Sequence, residues 1–181
     1  MGRLVILSGP SGVGKDTVID AWTQADPRVE RVVARTTREP RDHEVNGVDY
    51  VFLKPEHFLE LVEQGFFLEY KKVFENYYGT PLVDMERILG EDRVAVLKID
   101  VQGALSVMPL RPDAVTVFLL PPSDEELERR IIGRNTDTPE SIAKRLGKAK
   151  DEIAQAHHYQ HQIVNEDVEA VVQKLKDLTI E

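Results

Sequence analysis

Seven residues near the N-terminus have the types and spacing needed to hold a phosphate. They match the pattern G-x-x-x-x-G-K and are, in order, Gly9, Pro10, Ser11, Gly12, Val13, Gly14 and Lys15. Glycines let successive backbone N–H groups point at one anion, and a following helix adds its positive N-terminus. Lys15 supplies a mobile cation for β- and γ-phosphates. The loop follows an apolar run and precedes a helical pattern, so it predicts a nucleotide site.

Arginines form a second group with a definite chemistry. Arg38 and Arg41 are three residues apart, and Arg130 and Arg134 are four apart on one predicted helix face. Guanidinium groups match phosphate oxygens bidentately, so such pairs can grip a phosphate monoester. The alternative, for any single cluster, is a solvated charged face, and that is our interpretation of Arg129, Lys148 and Lys150.

The overall charge shows that these cations are local. The 181 residues carry a formal net charge of -9, while windows 31–41 and 129–150 each have an excess of positive charge. An acidic chain of this kind is unsuited to a general polyanion surface, so we expect no nucleic-acid partner. The expected partners are small molecules, with the chain acting as a monomer or homo-oligomer.

The composition is that of one globular domain. Apolar residues make up 41% of the chain and charged residues 30%, and there is no cysteine. No apolar run approaches the roughly 18 residues of a membrane span. We therefore expect no disulfide framework, no thiolate metal site and no membrane association, and a cytoplasmic location.

Short apolar runs alternate with amphipathic stretches. Arg3 to Ser8, Arg93 to Ile99 and Ala114 to Leu120 predict buried strands, and each precedes a helical pattern. Ser123 with Glu126 predicts a capping box, and Thr138-Pro139 predicts another helix start. Alternation of this kind is typical of an α/β fold with parallel strands. Residues 33–81, rich in Gly and Pro, interrupt it and predict a small inserted β-rich lobe.

Several further motifs follow the loop in a fixed order. The chain has Thr36-Thr37-Arg38-Glu39-Pro40-Arg41, Asn76-Tyr77-Tyr78-Gly79-Thr80, Ile99-Asp100-Val101-Gln102-Gly103 and Val164-Asn165-Glu166-Asp167. With the Gly9–Lys15 loop, these resemble the guanylate kinase family of nucleoside monophosphate kinases, along nearly the whole chain. The resemblance implies transfer of the γ-phosphoryl group of ATP to GMP, and also to dGMP, with Mg²⁺, as a step of purine nucleotide metabolism and GMP recycling.

The resemblance also implies the architecture. It is a P-loop kinase fold: a parallel core sheet flanked by helices, an inserted β-rich GMP-binding lobe and a small helical lid. In a single domain over 1–181, the core would comprise 1–32, 82–125 and 150–181, the GMP-binding lobe 33–81, and the lid 126–149.

Site residues are carried over position by position. The resemblance implies that ATP binds the Gly9–Lys15 loop, Asp16, Thr17 and Asn165. The implied GMP-binding residues are Arg38, Arg41, Tyr50, Glu69, Tyr78, Thr80 and Asp100. The implied catalytic residues are Lys15, Arg38, Arg130, Arg134 and Arg145. The chemistry suits the base, because the acceptor-only carboxylates of Glu69 and Asp100 match the N1–H and 2-amino donors of guanine, which adenine lacks.

Three positions depart from the family pattern. Ala34 stands where a phosphate-contacting serine is common, Lys98 where an acidic residue is usual, and Asp16 where the loop pattern has Ser or Thr. In P-loop folds the first strand and the strand that precedes Asp100 are neighbours, so we predict that Asp16 and Lys98 form an ion pair. Asp16, through water, and Thr17 are then the candidate Mg²⁺ contacts. The alternative is that Asp16 faces solvent and the two changes are unrelated.

Two other functions remain open on the sequence. A non-catalytic, guanylate-kinase-like interaction module would bind phosphorylated segments, but it would be expected to lose Lys15 or the lid arginines, which this chain keeps. A related kinase could act on a different phosphate ester, such as a ribose bisphosphate. Glu69, Thr80 and Asp100 argue against that function, since they suit recognition of a base.

Overall fold

A computed structural model describes residues 1–132 and 139–179. The strands are β1 (Arg3–Ser8), β2 (Val29–Val32), β3 (Arg35–Thr36), β4 (Val51–Phe52), β5 (Phe67–Val73), β6 (Asn76–Pro81), β7 (Val94–Lys98), β8 (Val115–Leu120) and β9 (His161–Val164). The helices are α1 (Lys15–Ala25), α2 (Pro55–Glu63), α3 (Leu82–Gly90), α4 (Val101–Val107), α5 (Asp124–Ile132), α6 (Pro139–Ala154) and α7 (Val168–Asp177), with a short 3₁₀ turn at Ala156–His158. Within these described ranges, no helix is long and apolar enough to cross a membrane.

The central sheet is parallel, as the alternation of strands and helices predicts. Its order over the described residues is β2-β7-β1-β8-β9, and each neighbouring pair runs in the same direction. The central strands β1, β7 and β8 are near-continuous apolar runs, which is typical of strands covered by helices on both faces.

The core lies on both faces of this sheet. Along β1, Val5 and Leu7 point to one face, where Trp22 of α1 and Leu175 of α7 cover them. Leu4 and Ile6 point to the other face, against α3 and α4. This split follows from the two-residue period of a strand. It clamps β1 between two helical layers and fixes the place where the Gly9–Lys15 loop begins.

A second sheet is built from the inserted segment. Its order is β4-β3-β6-β5, with β5 and β6 antiparallel. The segment is not purely β-rich, because Pro55 begins helix α2 rather than interrupting a strand. Proline is favoured at the first helical position, where its missing N–H has no partner to lose. Strand β4, which precedes this helix, comprises only Val51–Phe52.

Helices α5 and α6 form a separate small unit. One of the two hydrogen bonds of the predicted capping box is present: the Ser123 hydroxyl accepts from the Glu126 backbone N–H at 3.1 Å. Leu127 and Ile131 of α5 pack against Ala149 of α6. The predicted helix start at Thr138 and the predicted site residue Arg134 lie outside the described residues.

The carboxyl ends of two neighbouring strands carry the features that matter for function. Strand β1 ends at Ser8 and leads into the Gly9–Lys15 loop, and β7 ends at Lys98, level with Leu7. Asp100 follows and caps α4, its side chain accepting from the Gly103 N–H at 2.9 Å. Parallel strands bring such ends to one edge, where ligands of open α/β sheets bind.

Phe58 should carry much of the stability of the smaller sheet. Its ring is fully buried and lies 4.5 Å from the ring of Phe67 and 5.4 Å from that of Tyr77, centroid to centroid. We predict that Phe58→Ala lowers the free energy of unfolding by about 3 kcal/mol or more, through lost burial and a cavity. The midpoint of thermal unfolding should fall by about 10 °C.

Leu59 provides the matched control, because it is the next residue of α2 and 42% exposed. Leu59→Ala should change stability by less than about 1 kcal/mol. Equal losses in the two variants, measured by calorimetry, would contradict this account of the packing.

Candidate active site

The Gly9–Lys15 loop adopts a conformation that depends on its glycines. Gly12 and Gly14 have φ values of 86° and 97°, in the left-handed region that side chains disfavour. A Cβ at Gly14 would also lie 2.8 Å from the Nδ2 atom of Asn165. The loop therefore wraps tightly around the start of α1 and directs backbone N–H groups and the helix N-terminus toward one space, which makes it an anion cradle.

Lys15 is folded back against its own loop. Its ammonium donates to the carbonyl oxygens of Gly9 at 2.5 Å and Pro10 at 3.0 Å. Burial lowers the pKa of Lys15 to about 8, although the nearby carboxylate of Glu152 acts in the opposite direction. Phosphate oxygens entering the cradle would replace neutral carbonyls as partners of this cation and favour its charged form.

Asn165 packs against the Gly9–Lys15 cradle, and one of its two side-chain polar atoms has no hydrogen-bond partner among the described residues. The residue is buried, and its Nδ2 donates to the Val13 carbonyl at 2.8 Å. Its Oδ1 atom is buried and accepts no hydrogen bond from the described part of the chain. An unsatisfied buried acceptor costs stability, so a ligand N–H at this point would be favoured.

The predicted ion pair between Asp16 and Lys98 is confirmed. The Lys98 ammonium lies 2.6 Å from Oδ1 of Asp16, and Arg31 reaches the same oxygen at 3.0 Å. Burial works against the Asp16 charge, but Lys98 and Arg31 outweigh it and lower the pKa of Asp16. Burial, and then Arg31, lower the pKa of Lys98. Arg31 was not predicted here; it also donates to the Asp49 carbonyl at 3.0 Å, which links α1 to the inserted segment.

These residues suit a magnesium ion held mainly by nucleotide phosphates. The described residues include no group of three His, Cys, Asp or Glu side chains that could hold a metal by themselves. Mg²⁺ in nucleotide sites keeps several waters and needs only one or two protein groups. The Asp16 side chain is 55% exposed and Thr17 is exposed on the same first turn of α1, so both can meet metal-bound water.

The predicted base-binding residues meet on one face of the smaller sheet. Strands β5 and β6 pair with Glu69 opposite Thr80, and Lys71 opposite Tyr78. The Thr80 hydroxyl donates to Oε1 of Glu69 at 2.7 Å. Burial, with help from the charge of Asp100, raises the pKa of Glu69, while Thr80 and Lys71 act against that rise.

Asp100 approaches this face from the core. Its Oδ1 accepts the α4 cap hydrogen bond, and its Oδ2 forms an ion pair with Lys71. Burial opposes its ionisation, but the hydrogen bonds from Lys71 and the Gly103 N–H outweigh burial and lower the pKa of Asp100. A cavity of about 230 Å³ joins the two parts of the site, and its lining includes Ala34, Tyr50, Glu69, Tyr78, Thr80, Lys98 and Asp100.

Arg38 lies beside Tyr50, one of the two tyrosines that line this cavity. Arg38 forms a bidentate pair with Glu44, at 2.8 and 2.9 Å, and its guanidinium lies 5.5 Å from the centre of the Tyr50 ring. The Tyr50 and Tyr78 rings meet edge to face at 6.3 Å. The hydrogen bond from Arg38 lowers the pKa of Glu44 to about 2. Arg41 is exposed on the adjoining loop, where its backbone N–H donates to Glu44 at 2.8 Å.

Two arginines of the α5–α6 unit reach the cradle. Arg130 of α5 donates to the Val13 carbonyl at 3.3 Å, and Arg145 of α6 donates to the Ser11 hydroxyl at 3.4 Å. Arg130 is also held by Glu126, 2.7 Å away on the same helix face. Two guanidinium groups thus contact the loop that is shaped for phosphate.

Sequence reasoning missed several charged groups of this site. Lys148, interpreted as part of a solvated face, lines the cavity that contains Asp100. Lys71 and Glu152 received no interpretation. The two-residue period of β5 could have indicated Lys71, since it shares a face with Glu69, whereas the approach of α6 to the loop depends on tertiary packing.

Comparison with known proteins identifies relatives over the full length. The family model for guanylate kinase matches residues 1–181. The chain is 45% identical over 175 residues to a guanylate kinase of Nostoc sp., which covers 97% of this chain and 88% of that protein. It is also 45% identical over 176 residues to a guanylate kinase of Streptococcus agalactiae, covering 97% and 84%.

A solved structure agrees with these relatives. The crystal structure of guanylate kinase from Anaplasma phagocytophilum superposes with a TM-score of 0.79 at 34% identity, covering 99% of this chain and 85% of that one. A shikimate kinase structure from Bacteroides thetaiotaomicron, at 20% identity and a TM-score of 0.52, shares the fold alone.

The Asp16–Lys98 pair should be energetically coupled. We predict that Asp16→Asn destabilises the protein because it leaves Lys98 beside Arg31 without a counter-ion. The same change should cost less in a Lys98→Met background, giving a coupling free energy on the order of 1 kcal/mol in urea unfolding. Additivity of the two changes, within about 0.3 kcal/mol, would show that the pair contributes nothing.

The pKa of Lys15 makes a pH prediction. In the free protein the Lys15 amino group is protonated below about pH 8 and neutral above it, because burial lowers its pKa. We therefore expect kcat/KM for ATP to fall as the pH rises through about 8. The value of kcat at saturating ATP should fall much less, since bound phosphates hold Lys15 charged. A kcat/KM for ATP that stays constant up to pH 10 would disprove this.

Proposed function

This chain belongs to the guanylate kinase family and is an ATP-dependent GMP kinase, and from that premise we propose how its own residues divide the work. One observation carries the proposal: two carboxylates, Glu69 and Asp100, line a single cavity together with Tyr50 and Tyr78. That cavity combines acceptors for a base with donors for a phosphate. The core, the GMP-binding lobe of residues 33–81 and the lid of residues 126–149 are the corresponding units.

Glu69, Asp100 and Thr80 read the base. Guanine offers its N1–H and 2-amino groups as donors, and ionised carboxylates are acceptors only. The Thr80 hydroxyl, now 2.7 Å from Glu69, can turn to donate to the O6 atom of guanine. Adenine has neither donor and would leave the buried carboxylates unpaired, which can give discrimination of roughly 10⁴-fold.

Arg38, Arg41, Tyr50 and Tyr78 hold the GMP phosphate. Glu44 supports Arg38 through its bidentate pair and keeps the guanidinium plane in place beside the Tyr50 ring. A pre-positioned arginine loses less conformational entropy when it binds. The hydroxyl groups of both tyrosines add donors without adding charge.

The ATP phosphates occupy the Gly9–Lys15 cradle, and Lys15 contacts the β- and γ-phosphates. The free Oδ1 atom of Asn165 supports a contact with the amino group of adenine. Asp16 and Thr17 would hold magnesium through water, and the bound ion would neutralise charge on the triphosphate.

Phosphoryl transfer is then a matter of position and charge. An oxygen of the GMP phosphate attacks the γ-phosphorus of ATP, the bond from that phosphorus to the bridging oxygen breaks, and ADP leaves with that oxygen. Lys15, Arg38, Arg130 and Arg145 would surround the moving group with positive charge; the resemblance adds Arg134, which lies outside the described residues. An arginine in such a position contributes roughly 10³ to 10⁵ in rate.

The same contacts extend the proposal to dGMP. All the contacts proposed for the acceptor are to its base and its phosphate, so loss of the 2′-hydroxyl removes none of them. We therefore include dGMP as an acceptor, with a role in purine nucleotide metabolism and GMP recycling. The proposed location is cytoplasmic, where ATP and GMP are both available.

An acceptor screen tests the proposal. ADP release is measured with GMP, dGMP, AMP, UMP and CMP as acceptors, with Lys15→Met as the inactive control. GMP and dGMP should support turnover, and the other three should give at least about 10³-fold lower kcat/KM. Turnover with AMP comparable to that with GMP would refute the proposed recognition of the base.

Glu69→Gln separates recognition of the base from binding of ATP. An amide presents N–H donors to the donors of guanine, so KM for GMP should rise by about tenfold or more, while KM for ATP changes less than twofold. The preference for GMP over AMP should shrink accordingly. An unchanged preference would remove Glu69 from the set of residues that read the base.

A further inference from the structure

Lys71 is a cation in the acceptor-base pocket to which no role has been given. The alternation of β5 puts Lys71 and Glu69 on one face, across from Tyr78 and Thr80 of β6. The Lys71 side chain is 28% exposed, and its ammonium pairs with Oδ2 of Asp100. It therefore touches one of the two carboxylates proposed to read guanine and is two residues from the other.

Two carboxylates in one cavity create an electrostatic difficulty. Burial disfavours ionisation of both carboxyl groups, and the charge of Asp100 adds to that effect at Glu69, whose pKa is raised. A carboxyl group that takes up a proton becomes a donor and would face the N–H donors of guanine. The pocket works for guanine only while both groups are ionised.

Lys71 counters this difficulty at both carboxylates. At Asp100, its hydrogen bond lowers the pKa and so offsets part of the effect of burial. At Glu69, its positive charge also lowers the pKa and favours the ionised form. Other charged and titratable groups act on Asp100 from the elements around it: Glu69 from β5, Lys148 and Glu152 from α6, Lys15 at the start of α1, and Tyr159. Among these neighbours, Lys71 is the cation whose hydrogen bond to Asp100 is formed before any base enters.

We propose that Lys71 is a positioning residue for base recognition, which stays beside Asp100 when GMP binds and keeps both carboxylates as acceptors for the guanine N–H groups. The proposal rests on the proposed function of Glu69 and Asp100. The alternative makes the opposite prediction. If Lys71 only blocked Asp100 and had to move away before guanine could bind, its removal would strengthen GMP binding.

The test compares three variants in the ADP-release assay. Lys71→Met removes the charge at similar length, Lys71→Arg retains it, and Lys72→Met is the matched control. Lys72 is the next residue of β5, where its ammonium lies 5.5 Å from the Tyr77 ring centre and 4.0 Å from Glu75. KM and kcat for GMP are measured at pH 7.5 and at pH 5.5.

Lys71→Met should raise KM for GMP by about tenfold at pH 7.5, the effect of one lost charged hydrogen bond. The rise in KM on going to pH 5.5 should be steeper than in the wild type, because without Lys71 the carboxylates take up protons at higher pH. The value of kcat and KM for ATP should change less than about twofold. Lys71→Arg should restore KM for GMP, and Lys72→Met should leave it unchanged.

A KM for GMP that is unchanged or lower in Lys71→Met overturns the inference, as does a pH profile like that of the wild type. Asp100→Asn and Glu69→Gln, run in the same assay, separate the two levels of the argument. If both raise KM for GMP and Lys71→Met does not, only the role of Lys71 fails. If neither raises it, the assignment of the base site fails as well. Should the methionine variant not fold, Lys71→Gln is measured against the same expectations.

Discussion

Repulsion between two phosphate-bearing substrates is the constraint on which the rest of this structure depends. The reaction must bring GMP and the triphosphate of ATP together within a chain whose own net charge is -9. The parallel pairing of β1 and β7 brings the two binding regions together, because it places the Gly9–Lys15 cradle and Asp100 at the same edge of the sheet. Cations from β7, from the smaller sheet and from α5 and α6 then gather around that edge.

Most cations of the site have an internal partner in place. Lys15 bonds loop carbonyls, Arg38 bonds Glu44, Lys98 bonds Asp16 and Lys71 bonds Asp100. Each pairing fixes a long side chain close to where a phosphate or base is proposed to bind, so less entropy is lost on binding. The acidic partners differ in consequence: Asp100 is itself a proposed ligand of guanine, whereas Glu44 serves to hold Arg38.

The sequence predicted the features that depend on local hydrophobic patterns and on the order of motifs. The β1 prediction matches Arg3–Ser8, and the Asp16–Lys98 pair followed from knowing that β1 and β7 are neighbours. Arg31 could not be assigned to Asp16, because that contact requires β2 to lie beside β7, an order that periodicity does not encode. The Lys71–Asp100 pair likewise joins residues 29 apart on different elements. The segment 33–81 was predicted to be β-rich, but it also contains helix α2, because a proline can begin a helix as well as end a strand.

The most direct measurement is a crystal structure of the protein with GMP bound. The account predicts the guanine edge within hydrogen-bond distance of the Glu69 and Asp100 carboxylates, and the phosphate on Arg38 and the Tyr50 and Tyr78 hydroxyls, with the Lys71 ammonium still beside Asp100. A base that faces solvent, or a GMP phosphate bound in the Gly9–Lys15 cradle instead, would contradict it.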